Sequence, residues 1–214
     1  IEMLELARLG AGVMQPRSVE LGLQYHIPIH VRSTFTNEEG TIIREESTLE
    51  GNNCIIKGVA QDTNTARISV LNVKNIPGIA YKVFQSLADD NIDVDMIVQS
   101  VQTSNDNMTD IVFTINSADL NDARKSLEKL KTEGLIPEVV YDDDTAKISV
   151  VGAGMLGTPG IAARMFGALG SVGINILIVS TSEISVSCLI KREDVNKAVQ
   201  AIHREFFEKS EING

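Results

Sequence analysis

The sequence predicts an α+β fold of two tandem βαββαβ sandwiches, the first inserted in the second. The first observation is a stretch that occurs twice. Thr65–Ser100 reads TARISVLNVKNIPGIAYKVFQSLADDNIDVDMIVQS, and Thr145–Ser182 reads TAKISVVGAGMLGTPGIAARMFGALGSVGINILIVSTS. Thr-Ala-basic-Ile-Ser-Val opens both copies and Pro-Gly-Ile-Ala lies inside both, a self-similarity that marks a repeated structural unit. The second observation is a count of strands. Each copy supplies three strands and two helices, but only the first is followed by a run able to form a fourth strand.

The elements follow in order. Ile68–Val73 and Ile148–Gly152 are β-rich runs. Helices are expected to begin at Pro77 and Pro159. Ile79, Val83, Phe84 and Leu87 make one apolar stripe, and Ile161, Met165, Phe166 and Leu169 make its equivalent, each suited to cover a sheet. Second strands are read at Val94–Ser100 and Ile176–Thr181, and third strands at Thr109–Ile115 and Ser185–Ile190. The final helices are Ala118–Lys131, with Ser117 placed to cap it, and Glu193–Phe207. With a fourth strand each unit becomes a ferredoxin-like sandwich. Glu138–Tyr141 serves the first unit. For the second the economical source is Cys54–Ala60, upstream of the first. The expected division is 64–144 for the first unit and 54–63 with 145–209 for the second.

Upstream, Ile1–Leu9 and Pro16–Tyr25 read as helices, with Pro16 at a tolerated first-turn position, and Ile27–Ser33 as a strand. Residues 1–35 look like the last βα portion of a missing α/β domain. Residues 36–53 read as an acidic linker with one short strand at Thr41–Arg44.

Composition narrows function. The 214 residues carry a formal net charge of −10 and only 4% aromatics without Trp. That balance repels phosphate backbones and disfavours nucleic acid as a partner. No apolar run is long enough to span a bilayer, and Cys54 and Cys188 read as buried free thiols of a reducing cytoplasm. His26 and His30 flank Pro28 without a carboxylate or thiol at ligand spacing, so no metal site is expected. Asp142-Asp143-Asp144 reads as a solvated turn rather than a cation site. No catalytic constellation is visible. Gly152-Ala-Gly154-Met-Leu-Gly157 matches the dinucleotide fingerprint in letters, with Glu183 beyond it. The equivalent loop of the first copy has no glycine, and too little chain follows for a doubly wound sheet. A nicotinamide-dependent oxidoreductase fragment is therefore the lesser reading.

A binding site is better supported. The amides of Gly78, Ile79 and Ala80 lie at a helix start, where orphan N–H groups favour a carboxylate. Ile76 is a poor cap, whereas Thr158 can cap in the second copy. Asp93 and Asp95 begin the next strand and, two apart, are expected on one face. The second copy has Asn175 and Leu177 there. An anion site with a carboxylate suits an α-amino acid, and places the principal site in the first copy.

The Pro-Gly-Ile-Ala repeat, VDMIVQ, and VGAGM followed by PGIAARMFGAL, INI and STSEI resemble the C-terminal regulatory region of monofunctional aspartokinases, a tandem pair of ACT domains. EMLELARLGAGVMQPRSVEL, VRSTF and EGT resemble the end of the catalytic domain and its link to that pair. The resemblance implies a kinase that phosphorylates aspartate at its 4-carboxylate, in aspartate-family amino-acid biosynthesis. It implies feedback inhibition by lysine, threonine or both. It also implies units that pair side by side in a homodimer, or a hetero-oligomer with kinase subunits. The Lys-Phe-Gly-Gly motif and most ATP contacts are absent, so ATP and Mg belong to the missing part, no cofactor is expected here, and this chain alone should not catalyse. A ligand-free ACT dimerisation platform is the remaining alternative. The implied effector set is Asn75, Pro77, Gly78, Ile79, Ala80, Asp93, Asp95 and Gln99. Asn75 and Asp93 depart from the family pattern, which has Asp and Asn there.

Overall fold

A computed structural model describes residues 1–45, 55–101 and 107–208. They form two compact units. The inserted unit is Thr63–Lys147 with Ile190–Glu193, and the outer unit is Ile1–Asp62, Ile148–Leu189 and Asp194 onward. Two long strands, β3 (Gly58–Lys74) and β6 (Glu138–Val151), each begin in one unit and end in the other.

In the inserted unit the chain runs β3, α3 (Ile79–Asp89), β4 (Val94–Val101), β5 (Met108–Asn116), α4 (Leu120–Thr132) and β6. The strand order is β4-β5-β3-β6. In the unit's own numbering this is 2-3-1-4, the ferredoxin-like arrangement. Ile68 pairs with Phe113 and Val70 with Ile111, and these side chains are fully buried under Val83, Leu87 and Leu127 of the two helices. Phe84 meets Phe113 edge to face with ring centres 5.4 Å apart. Burial of each large aliphatic side chain stabilises by roughly 1.5–3 kcal/mol, so the apolar stripes decide which helix face meets the sheet.

The outer unit repeats the plan with α5 (Ile161–Ser171), β7 (Ile178–Thr181), β8 (Ser185–Lys191) and α6 (Val195–His203). The start of β3 lies beside the end of β6, followed by β8 and β7. The upstream strand therefore closes the second sandwich, and the first unit is inserted in the second. That strand is described from Gly58; Cys54 lies outside the described residues. Met165, Leu169, Leu189 and Ile202 are completely buried in this core. The outer unit also holds α1 (Glu2–Arg8), α2 (Pro16–Gln24, Pro16 in its first turn) and a small sheet of β1 (Ile29–Val31) with β2 (Thr41–Ile43). His26 Nδ1 lies 2.9 Å from Glu45 Oε1, and His30 Nε2 lies 2.6 Å from the Glu39 carbonyl.

Two local expectations fail. Asn116, not Ser117, caps the helical turn before α4: its Oδ1 accepts the Ala118 N–H at 2.9 Å. An Asx turn at the end of a strand places that oxygen better than the next residue's hydroxyl can be. Asp142-Asp143-Asp144 is not a turn, since all three residues lie inside β6. Asp142 is held there by Arg67 (3.1 Å) and Lys191 (3.2 Å), and it accepts the Asp144 amide at 3.2 Å. Burial pushes the Asp142 carboxyl up. The Lys191 hydrogen bond, the Asp144 amide and the charges of Lys191 and Arg67 outweigh it, and the net displacement is below the usual carboxylate range.

A carboxyl whose folded pKa is depressed contributes stability above its unfolded pKa and loses it as pH falls through the folded value. Asp142→Asn is expected to destabilise the chain by about 2 kcal/mol at neutral pH. Denaturant titrations should show that gap closing below about pH 4. A gap that persists unchanged in acid contradicts the assignment.

Candidate functional site

Each repeat turns sharply before its first helix. Ile76-Pro77-Gly78-Ile79 is a β-turn closed by Ile79 N–H to Ile76 O at 3.2 Å, with Gly78 at φ +88°. Proline at the second position and a left-handed glycine at the third define a type II turn. The helix consequently starts at Ile79, two residues later than expected, and in the outer unit at Ile161 after Gly160 at φ +96°. The Ile79 amide is consumed by the turn. Lys82 N–H to Gly78 O is the first helical bond, leaving the Ala80 and Tyr81 amides without an intrahelical acceptor. Thr158 does not cap α5, because its hydroxyl donates to Gly154 O at 2.8 Å. Neither helix has a side-chain cap, so the expected contrast between the copies disappears.

Sheet register then divides the predicted residues. Val73 and Val101 both lie opposite Thr109, while Val94 and Ala66 lie opposite Ile115. Asn75, Pro77, Gly78, Ile79 and Ala80 follow the end of β3, and Gln99, opposite Ile111, is near the same end. Asp93 and Asp95 are at the other end, about 20 Å away at ~3.3 Å per strand residue. One α-amino acid cannot engage both within this unit. Asp93 precedes the strand, and a register shift between Val94 and Ile97 breaks simple alternation there. Asp95 is already occupied: its Oδ2 pairs with Lys147 Nζ. The Lys147 side chain is 7% exposed against 53% for Asp95, so the carboxylate is the counter-ion of a buried ammonium.

The outer unit does bring the two kinds of group to one end. A cleft of about 270 Å³ is lined by Met155, Leu156, Thr158, Gly160, Ser182 and Glu183. Ser182–Ser185 forms a tight turn after β7. Ser182 N–H donates to Ser185 O at 2.9 Å, and the two hydroxyls lie 2.7 Å apart. Gly152 N–H donates to Ile184 O at 2.9 Å, fixing this turn beside the exit of β6. Glu183 is exposed at its tip. The arrangement offers open amides at the start of α5 for an anion and a carboxylate for a cation. Ser182 and Glu183 stand outside the implied effector set, although both lie in the STSEI string that carries the family resemblance. The usable signal is the position of Glu183 in the short turn between β7 and β8, the latter being the neighbour of the strand that leads into α5.

Gly152 and Gly154 serve packing, whereas Gly157 has open space around it and a left-handed φ of +74°. A Cβ on Gly152 would stand 2.0 Å from Ile55 O, and one on Gly154 2.9 Å from Ile55 Cα. The backbone of Ile55 therefore lies directly against both glycines. Among the described residues no three His, Cys, Asp or Glu side chains are grouped to hold a metal, and no helix is long and apolar enough to cross a membrane. Burial pushes the Cys188 thiol up to about 12, which removes its nucleophilic form at neutral pH.

The ACT domain family model matches residues 68–130 and 148–206. This fits the duplicated sandwich and the open helix start in each copy, and the class is a tandem ACT chain. An aspartokinase of Corynebacterium glutamicum is 41% identical over 208 residues, which is 96% of this chain and 49% of the relative. The regulatory subunit of aspartate kinase from Thermus thermophilus superimposes with a TM-score of 0.67 at 38% identity, over 71% of this chain and 99% of that one. Aspartate kinase from Clostridium acetobutylicum gives a TM-score of 0.84 at 25% identity, over 96% of this chain and 47% of that one. The chain belongs to the ACT domain family, in the branch formed by the regulatory region of aspartokinases. It spans about half the length of the curated aspartokinases it matches.

Asp95→Ala strands the Lys147 ammonium and is expected to cost about 2 kcal/mol, reduced from the fully buried case because water reaches the Asp95 side. Adding Lys147→Met should restore most of that loss in urea unfolding. A double variant no more stable than Asp95→Ala contradicts a structural role for the pair.

Proposed function

We propose that this chain is the amino-acid-sensing part of an aspartate kinase, whose whole protein transfers phosphate from ATP to the 4-carboxylate of L-aspartate. Residues 1–35 are read as the end of the catalytic domain, residues 36–53 as the link, and the two ACT units as the sensor. One support is the difference in coverage. Full-length kinase matches 96% of the chain, whereas the free regulatory subunit matches 71%. The effector is lysine, threonine or both. The chain alone lacks the catalytic machinery and is expected to be inactive.

The observation that carries the sensing role is the outer-unit cleft, with helix amides and Glu183 facing one small space. The effector carboxylate would meet the α5 amides, aided by the helix dipole, and an ammonium would meet Glu183. In the first copy the separation of the Pro-Gly turn from Asp93 and Asp95 means that a ligand using both takes them from two copies of the chain. Pairing of ACT units, in a homodimer or with separate kinase subunits, belongs to the same reading; a similar chain was solved as aspartokinase alpha and beta subunits. The effector inhibits by binding a less active arrangement more tightly, since differential affinity is its only lever.

Calorimetry with lysine and with threonine tests the reading. Glu183→Gln is expected to weaken binding of the effective amino acid ten-fold or more, as loss of a charge-assisted contact does. Equal affinities for variant and parent contradict the cleft assignment, and a parent that binds neither amino acid contradicts the sensing role.

A further inference from the structure

Helix α1 carries Glu2 and Glu5 one turn apart on one face. Glu2 Oε1 accepts the Ala153 N–H at 2.7 Å, and Glu5 Oε1 accepts the Ser185 hydroxyl at 2.9 Å. Ala153 opens the segment whose later residues, Met155 to Thr158, form one wall of the outer-unit cleft, and Ser185 closes the turn that presents Ser182 and Glu183 on the other. The two carboxylates therefore hold the two cleft walls from behind. The helix packs closely on one side and borders an open cleft of about 700 Å³ on the other. A Cβ on Gly58 would lie 3.0 Å from Leu6 Cδ2, and one on Gly10 would lie 2.4 Å from Gln61 O. Yet Ala7 is its only buried residue, so polar bonds and close backbone fit, rather than a large apolar core, decide where α1 rests.

We propose that Glu2 and Glu5 are positioning residues that relay occupancy of the outer-unit cleft to α1 and so to the kinase. The proposal rests on the sensing role above. A ligand that draws in the 153–158 segment or the 182–185 turn changes the position of the groups these carboxylates hold. It thereby favours one placement of α1 over another, which is the two-state element an allosteric coupling requires.

The test uses the full-length kinase with Glu2→Ala, Glu5→Ala and the double substitution, with lysine and threonine as probes. Phosphotransfer without effector is expected within about two-fold of the parent, and effector affinity by calorimetry within about three-fold. At saturating effector the phosphotransfer that remains is expected to be at least about five-fold the parent's, because the site still fills but no longer shifts the kinase. Glu→Gln at either site keeps an acceptor oxygen and should restore much of the inhibition, which a mere loss of folding would not permit. An inhibition curve that superimposes on the parent's overturns the relay. So does a loss of affinity equal to the loss of inhibition, which would place the carboxylates in the site itself. A parent that neither binds nor responds to either amino acid overturns the sensing role and the relay with it. The calorimetric arm distinguishes that outcome from failure of the relay alone.

Discussion

The second sandwich closes only because a strand from upstream of the first supplies its edge. A four-stranded sheet with one strand missing would leave an open row of backbone donors and acceptors beside β6. The chain removes that defect by extending β3 backward to Gly58 and β6 forward to Val151, so that each strand serves both units. The consequences reach every other feature. The glycines at 152 and 154 are small because the chain arriving at Ile55 must pass against them. Helix α1 rests its Leu6 side chain against Gly58, at the start of the same strand, and the turn after it meets Gln61 through Gly10.

Continuous strands put charged residues where local reading places turns. Asp142 has no polar neighbour in sequence that explains its burial. Its partners, Arg67 and Lys191, are 75 and 49 residues away. Lys147 is buried for the same reason, and Asp95 reaches it across 52 residues. The basic residue of Thr-Ala-Arg/Lys-Ile-Ser-Val thus has one task in both copies, to hold a carboxylate of the inserted unit. The shared opening of the repeat is a record of ion pairing as well as of sheet formation.

What could be read in the residues was whatever depends on periodicity and counting. Apolar spacing located the helices whose buried faces are Ile79, Val83, Leu87 and Ile161, Met165, Leu169. The strand count showed that one unit lacked an edge and where it must come from. The candidate site was only half legible. Pro-Gly was correctly seen as a helix entry, but the left-handed turn that shifts the helix start is a backbone property shared by both copies. The distance between Gly78 and Asp95 depends on the register of β3, β4 and β5, which pairs residues far apart in sequence. Glu183 became visible as a site residue only when the turn at Ser182–Ser185 fell beside the start of α5.

The two copies therefore share a scaffold, and under the proposed sensing role it is the outer one that brings a helix start and a carboxylate to one cleft. Amide chemical shifts of the isotopically labelled chain, followed while lysine or threonine is added, test this most directly. The account predicts that the largest movements fall on Ala162, Ala163, Ser182 and Glu183 at the outer-unit cleft. Movements confined to Gly78, Ala80 and Gln99, with the outer-unit residues still, would contradict it.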